Sequence, residues 1–129
     1  MNIACIGTGF VGVVTASVLA KLGHHVIGLD IDSAKVESLR QGIVPFFEPG
    51  LQDLLLQTQQ TGNLSFTTDY EEAIKDSEIV MIMVGTPTAQ DGSADLTYVY
   101  SAAESLAPHL KNGSIVIIKS TVPQAPMPK

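Results

Sequence analysis

A doubly wound α/β domain, with about five parallel strands in the order 3-2-1-4-5 and helices on both faces, is predicted by three features of the sequence. Strand-like and helix-like segments alternate along the whole chain, which favours parallel strands joined by right-handed crossovers. The strand-like segments are apolar at nearly every position, as strands covered on both faces are. The first of them passes through a glycine-rich turn directly into a helical pattern, and such a turn belongs at the centre of a sheet of this kind.

Residues 2–6, short, apolar and closed by Gly7, are read as the first strand. Over 10–22, Val11, Val14, Val18 and Leu22 recur at spacings of three and four, so a helix is expected that packs this face on the sheet and stops at Gly23. Residues 25–30 form the second strand. Asp32 or Ser33 caps a helix that carries Val36 and Leu39 on one face and ends near Gly42. After the loop "IVPFFEPG", Pro49 is expected in the first turn of a helix over 51–60, and Gly62-Asn63 turns the chain into a short strand at 64–66. Asp69 followed by Glu72 has the capping-box pattern and opens a short helix to Lys75. The fourth strand covers 78–84. Asp95 caps a helix ending near Leu110, and Asn112-Gly113 returns the chain to a fifth strand at 114–119.

Size and composition narrow the function classes. A chain of 129 residues with 45% apolar content can bury one core but not two of ordinary size. A net charge of -6, with the seven Lys and Arg scattered, offers no basic face for nucleic acid. The longest apolar runs fall far short of the roughly 20 residues of a membrane span. The N-terminus enters a strand without a basic region or cleavage site, so no secretory signal is expected. One Cys excludes an internal disulfide, and the expected address is the cytoplasm.

The sharpest local motif is "GTGFVG" at residues 7–12, a complete G-x-G-x-x-G between a strand and a helix. Gly7 permits the tight turn, Gly9 lets backbone approach a pyrophosphate, and Gly12 lets the helix lie close to the strand. The free N–H groups and dipole of the helix's first turn attract the diphosphate. Asp30, eighteen residues beyond Gly12 at the end of the second strand, is placed to accept hydrogen bonds from an adenosine ribose. A carboxylate there repels a 2′-phosphate, so NAD is favoured over NADP. Asp32 is a helix cap; Lys35, one turn on, either reaches the same ribose or is solvated. The domain is thus expected to be Rossmann-like, with ligand at the carboxyl ends of the strands. "VGTP" and "KSTVP" occupy two further strand ends, and Thr86 and Thr121 are placed to face a cofactor there. Cys5, mid-strand, reads as a small core residue rather than a nucleophile. His24, His25 and His109 have no metal-ligand spacing, and Met81 and Met83 read as core.

Together "IACIGTGFVG", "VIGLDID", "PFFEPGL", "VMIMVGTP" and "STVP" resemble, in order and spacing, the N-terminal signatures of the UDP-glucose 6-dehydrogenase and GDP-mannose dehydrogenase family. The resemblance implies an NAD-binding domain. In it Gly7, Gly9, Phe10, Val11 and Gly12 hold the pyrophosphate, Asp30 and Lys35 address the adenosine ribose, and Thr86 and Thr121 approach the nicotinamide half. It also links Thr121 to the catalytic centre. Glu48 belongs to the shared "EPGL" pattern, and a carboxylate near a helix start is accounted for by the dipole alone.

Family members oxidise the C6 hydroxyl of a nucleotide sugar to a carboxylate with two NAD, through a Cys-bound thioester, and UDP-glucose is the substrate that the motifs favour. Beyond "STVP", relatives continue with a further crossover, a sixth strand, a long helix and a nucleotide-sugar domain, and the nucleophilic Cys lies beyond that point. Here the sequence reads "QAPMPK". The expectation is therefore an NAD-binding domain over 1–123 and a disordered proline-rich tail over 124–129. The chain is expected to be a fragment or truncated product that binds NAD, engages a nucleotide sugar only in a longer form, and is inactive by itself. Self-association through an exposed edge of the fifth strand is expected as well. The alternative is a stand-alone nucleotide-binding module with a regulatory or assembly role.

Overall fold

The computed structural model describes residues 1–44, 48–85, 89–93 and 95–119. Its elements are β1 (Asn2–Ile6), α1 (Phe10–Lys21), β2 (His25–Leu29), α2 (Ser33–Arg40), α3 (Leu51–Gln60), β3 (Leu64–Thr67), α4 (Tyr70–Ile74), β4 (Ile79–Ile82), α5 (Thr97–Leu106), a 3₁₀ turn (Ala107–His109) and β5 (Ile115–Ile118). The five strands form one parallel sheet in the order β3-β2-β1-β4-β5, as the alternation of segments predicts. Thr86 and Thr121, and the closing segment 124–129, lie outside the described residues.

Strand side chains alternate between two cores. Ile3 and Cys5 of β1, Val26 of β2 and Leu64 and Phe66 of β3 face α1, α2 and α3, where Val13, Val36, Leu39 and Leu55 meet them. Ala4 and Ile6, Leu29, and Val80 and Ile82 face α4 and α5, where Ile74, Ala102 and Leu106 complete the second core. β1 lies at the centre, and the strand order reverses between β1 and β4. The carboxyl ends of these two strands therefore diverge into crossovers on opposite faces, which opens a crevice there.

α1 turns a different face to the sheet from the one its valines suggest. Val11, Val18 and Leu22 are exposed, and the buried residues are Gly12, Val13, Ala16, Ser17 and Ala20. The cause is Gly12: a Cβ built there would overlap the carbonyl oxygen of Gly7. That contact fixes which side of α1 faces β1, and small residues one and two turns on keep the helix close. The apolar spacing of the valines is overridden by a packing demand at a single position.

Smaller corrections follow from local hydrogen bonding. Asp32 is the cap of α2, accepting from the N–H groups of Ala34 and Lys35. Gly50, with φ of 82°, is the residue that precedes α3, so Pro49 lies outside the first turn. Asp69 caps α4 by accepting from the Glu71 N–H, but Glu72 does not reach back to close a capping box. Its carboxylate instead accepts from the Thr67 hydroxyl, whose oxygen takes the Asp69 N–H. The carboxylate of Asp95 accepts from both the N–H and the hydroxyl of Thr97, while the backbone cap position of α5 is Leu96.

Ser17 is fully buried, and its hydroxyl has no hydrogen-bond partner among the described residues. An unsatisfied buried hydroxyl costs about 1–3 kcal/mol, and Ala is the better helix former. Ser17→Ala is therefore expected to raise stability by about 1 kcal/mol, read as a higher urea midpoint with an unchanged slope. A lower midpoint would show that the hydroxyl is satisfied in solution.

Candidate functional site

The crevice at the strand reversal is a cavity of about 530 Å³ at the carboxyl ends of the sheet. Its floor is the glycine loop, where Ile6 to Gly12 carry the chain from β1 into α1. Gly7 has φ of 108°, and a Cβ on it would stand 2.7 Å from the carbonyl oxygen of Met83 and 2.9 Å from the N–H nitrogen of Val84. Only glycine allows both this backbone conformation and this approach to the exit of β4. The N–H of Gly7 donates to the Leu29 carbonyl at 2.7 Å, tying the loop to β2 as well. Gly9 is different: nothing lies within 4 Å of the position its Cβ would take.

That open side, together with the start of α1, suits an anion. Gly9 is the N-cap and supplies no side-chain acceptor to the helix, and the first turn contains no acidic residue. A helix start of this kind offers N–H groups and the positive end of the dipole to a phosphate. Exposed Phe10 and Val11 lie on the same wall of the cavity. A diphosphate bridging two nucleoside halves fits both the donors and the space.

Asp30 stands immediately after β2. The N–H and hydroxyl of Thr8 donate to its Oδ2 at 3.1 and 2.7 Å, and the N–H of Asp32 donates to Oδ1 at 3.0 Å. Lys35 of α2 brings its Nζ within 3.8 Å of Oδ2. Burial acts to raise the pKa of this carboxyl. The hydrogen bonds from Asp32 and Thr8, with a smaller contribution from the Lys35 charge, outweigh burial and hold it below its ordinary value of 3.8. Asp30 is thus an ionised acceptor at neutral pH, set into the cavity wall with its side chain 13% exposed.

The far walls contain residues that no sequence motif signalled. Tyr70 at the start of α4 and Tyr98, Ser101 and Ala102 of α5 line the cavity from one side, and exposed Ile31 lines it beside Asp30. Burial pushes the Tyr70 phenol up; a hydrogen bond with Ser105 opposes this, and the negative charge of Asp30 adds to the rise. Gly85 and Lys119, beyond β4 and β5, close the end away from Asp30. The cavity therefore brings together Gly7, Gly9, Phe10, Val11, Gly12, Asp30 and Lys35.

Cys5 is fully buried in β1, and desolvation pushes its thiol up to about 12, so it is inert core. Met83 is buried and also lines the cavity, whereas Met81 is half-buried against the α1 core. His25 lies at the opposite end of the sheet, at the start of β2. Among the described residues, no group of three His, Cys, Asp or Glu is placed to hold a metal ion. No helix among them is long and apolar enough to cross a membrane.

Comparison with known proteins agrees with this geometry. Residues 1–128 match the model of the UDP-glucose/GDP-mannose dehydrogenase family, NAD binding domain. The chain is 46% identical over 123 residues to UDP-glucose 6-dehydrogenase YwqF of Bacillus subtilis, covering 95% of this chain and 28% of that protein. It is 42% identical over 125 residues to GDP-mannose 6-dehydrogenase of Pseudomonas aeruginosa, covering 95% and 29%. Among solved structures, a UDP-glucose dehydrogenase from the archaeon Pyrobaculum islandicum superposes with a TM-score of 0.88 at 43% identity, over 94% of this chain and 29% of that one. A GDP-mannose dehydrogenase ternary complex from Pseudomonas aeruginosa gives 0.89 at 42% identity, over 95% and 29%. The chain thus spans a little over a quarter of the length of these relatives. With a five-stranded 3-2-1-4-5 sheet, a glycine loop shaped for a diphosphate and an ionised carboxylate beside it, the chain is an NAD-binding domain of the UDP-glucose/GDP-mannose dehydrogenase family.

Proposed function

We propose that this chain binds NAD across the carboxyl ends of β1, β2 and β4, and that it serves UDP-glucose 6-dehydrogenation as the cofactor half of a larger enzyme. The observation that carries the binding mode is the pairing of an open Gly9 with the fixed, ionised Asp30 in one cavity. The diphosphate lies at the start of α1, against the backbone of Gly7 to Gly12. Asp30 accepts from a ribose hydroxyl, and Lys35 stands on the same side to donate to the sugar. The adenosine half then occupies the end lined by Ile31, and the nicotinamide half points toward Gly85 and Lys119. In sequence Thr86 comes four residues after the end of β4 and Thr121 three residues after the end of β5, beyond Gly85 and Lys119 respectively. We assign both to that half, and Thr121 to the reacting end.

NAD supplies a hydride acceptor when bound; the residues of this chain bind and orient it. UDP-glucose as the sugar, oxidised to UDP-glucuronate with two NAD, is supported by relatives of that name at 46% to 43% identity. The chain's one cysteine is the buried Cys5. A thiol so placed cannot attack a sugar aldehyde, so a polypeptide of these 129 residues binds cofactor without turning over substrate. A single cysteine, with no partner for a disulfide within the chain, supports a cytoplasmic setting.

β5 bears on assembly. Ile115, Val116, Ile117 and Ile118 are 57%, 40%, 39% and 51% exposed, although β4 pairs with one edge of the strand. Among the described residues nothing pairs the other edge. Such an edge recruits another strand, and in a solution of this chain the partner at hand is a second copy.

Titration calorimetry with NAD and NADP tests the binding mode. Wild-type chain is expected to prefer NAD, and Asp30→Ala to weaken NAD by about tenfold or more, as loss of a charge-assisted hydrogen bond does; equal binding of NADP by the wild type would contradict the reading. No NADH is expected when the purified chain is mixed with UDP-glucose and NAD, and NADH formation at 340 nm would refute the inactivity. Light scattering is expected to show mass rising with concentration. A constant monomer mass at high concentration would speak against edge pairing.

A further inference from the structure

We propose that Thr8 is a positioning residue that sets cofactor specificity: it ties the Asp30 carboxylate to the glycine loop and leaves Oδ1 as the face offered to the ribose. The inference rests on the reading of Asp30 as the ribose acceptor. It comes from the hydrogen bonds around that carboxylate and not from the glycine motif, in which the position of Thr8 is a variable one.

Thr8 is 1% exposed, and it donates to the same oxygen twice, from its N–H and from its hydroxyl. A carboxylate oxygen has two in-plane acceptor sites, so Thr8 alone fills those of Oδ2. Oδ1 receives one donor, the Asp32 N–H, and keeps one site for a hydroxyl of the cofactor. The carboxylate cannot turn to present both oxygens without breaking three hydrogen bonds. Lys35, 3.8 Å from Oδ2 and on the cavity wall, is left to meet the second oxygen of the ribose cis-diol. The same tether governs discrimination. A carboxylate held in place cannot swing toward Lys35 to make room for a 2′-phosphate, so its charge stays where that phosphate would lie.

Among the described residues, Thr8 from the loop, Asp32 from the cap of α2, Lys35 from α2 and Tyr70 from α4 face Asp30. Of these, Thr8 and Asp32 donate hydrogen bonds that favour the ionised carboxylate, and Lys35 favours it by charge. NAD affinity should therefore hold above the depressed pKa of Asp30 and fall as pH drops through it. Removing one donor raises that pKa, so the acid limb of the affinity profile moves to higher pH.

The test compares Thr8→Val, which keeps the shape and the N–H but loses the hydroxyl, with Thr8→Ser, which keeps the hydroxyl. Calorimetry of the 129-residue chain with NAD and NADP is run across the acid range. Thr8→Val is expected to weaken NAD about tenfold, the scale of one charge-assisted hydrogen bond. It should also narrow the preference for NAD over NADP and shift the acid limb upward, with Thr8→Ser close to wild type in all three. A carbon-detected NMR titration of the Asp30 carboxyl without cofactor should show the same upward shift in Thr8→Val. Wild-type affinity, preference and acid limb in Thr8→Val would overturn the inference alone. So would an equal loss on adding Thr8→Val to Asp30→Ala, since Thr8 would then act without Asp30. Absence of NAD binding by the wild-type chain would overturn the cofactor reading, and this inference with it.

Discussion

The absence of a side chain at Gly12 is the constraint on which the rest of the molecule depends. α1 approaches the sheet so closely at that point that a single methyl group would occupy the space of the Gly7 carbonyl oxygen. Close approach there fixes the rotation of the helix, so that Val13, Ala16, Ser17 and Ala20 face β1 and its neighbours. It also fixes where the helix begins. The start of α1 is aimed into the crevice between the β1 and β4 crossovers, and the positive end of its dipole becomes an anion site.

Gly7 carries the same constraint to the neighbouring strands. Its N–H is held by Leu29 of β2, and its Cα lies against the backbone where β4 ends. One residue later, Thr8 holds the carboxylate that follows β2. Three consecutive structural roles thus fall within a few residues: a turn against β4, a tether to Asp30, and an open backbone at Gly9. The electrostatics of the cavity follow from this placement. An ionised acceptor stands at one end of the cavity, a helix start at the middle and Lys119 at the other end.

Much of this was legible in the sequence, for identifiable reasons. Alternating elements and doubly buried strands specify strand order through crossover handedness, and the observed order agrees. Gly7, Gly12 and Asp30 were readable because glycine geometry and carboxylate charge leave few alternatives at a strand–helix turn. The inward face of α1 was misread because apolar periodicity carries no information about backbone clash: Val11, Val18 and Leu22 satisfy the helical spacing, and Gly12 overrides it. Pro49 lies outside the first turn of α3 because Gly50 takes the left-handed conformation before it. Glu72, at the expected position after the Asp69 cap, closes no capping box because its carboxylate is taken by the Thr67 hydroxyl. Tyr70 and Tyr98 reach the cavity from α4 and α5, outside the motifs at the strand ends. Only tertiary juxtaposition unites them, and no motif spacing could announce it.

One close contact, Gly12 against Gly7, sets both the packing of α1 and the shape of the crevice. NAD titration of Gly12→Ala, with the fold followed by far-ultraviolet circular dichroism, tests it most directly. Gly12→Ala is expected to keep its α/β spectrum yet bind NAD at least about tenfold more weakly, because a methyl group there overpacks the contact, displaces the helix and moves the N–H donors. Wild-type NAD affinity in Gly12→Ala would contradict it, since the cradle would then tolerate a helix that no longer lies against the loop.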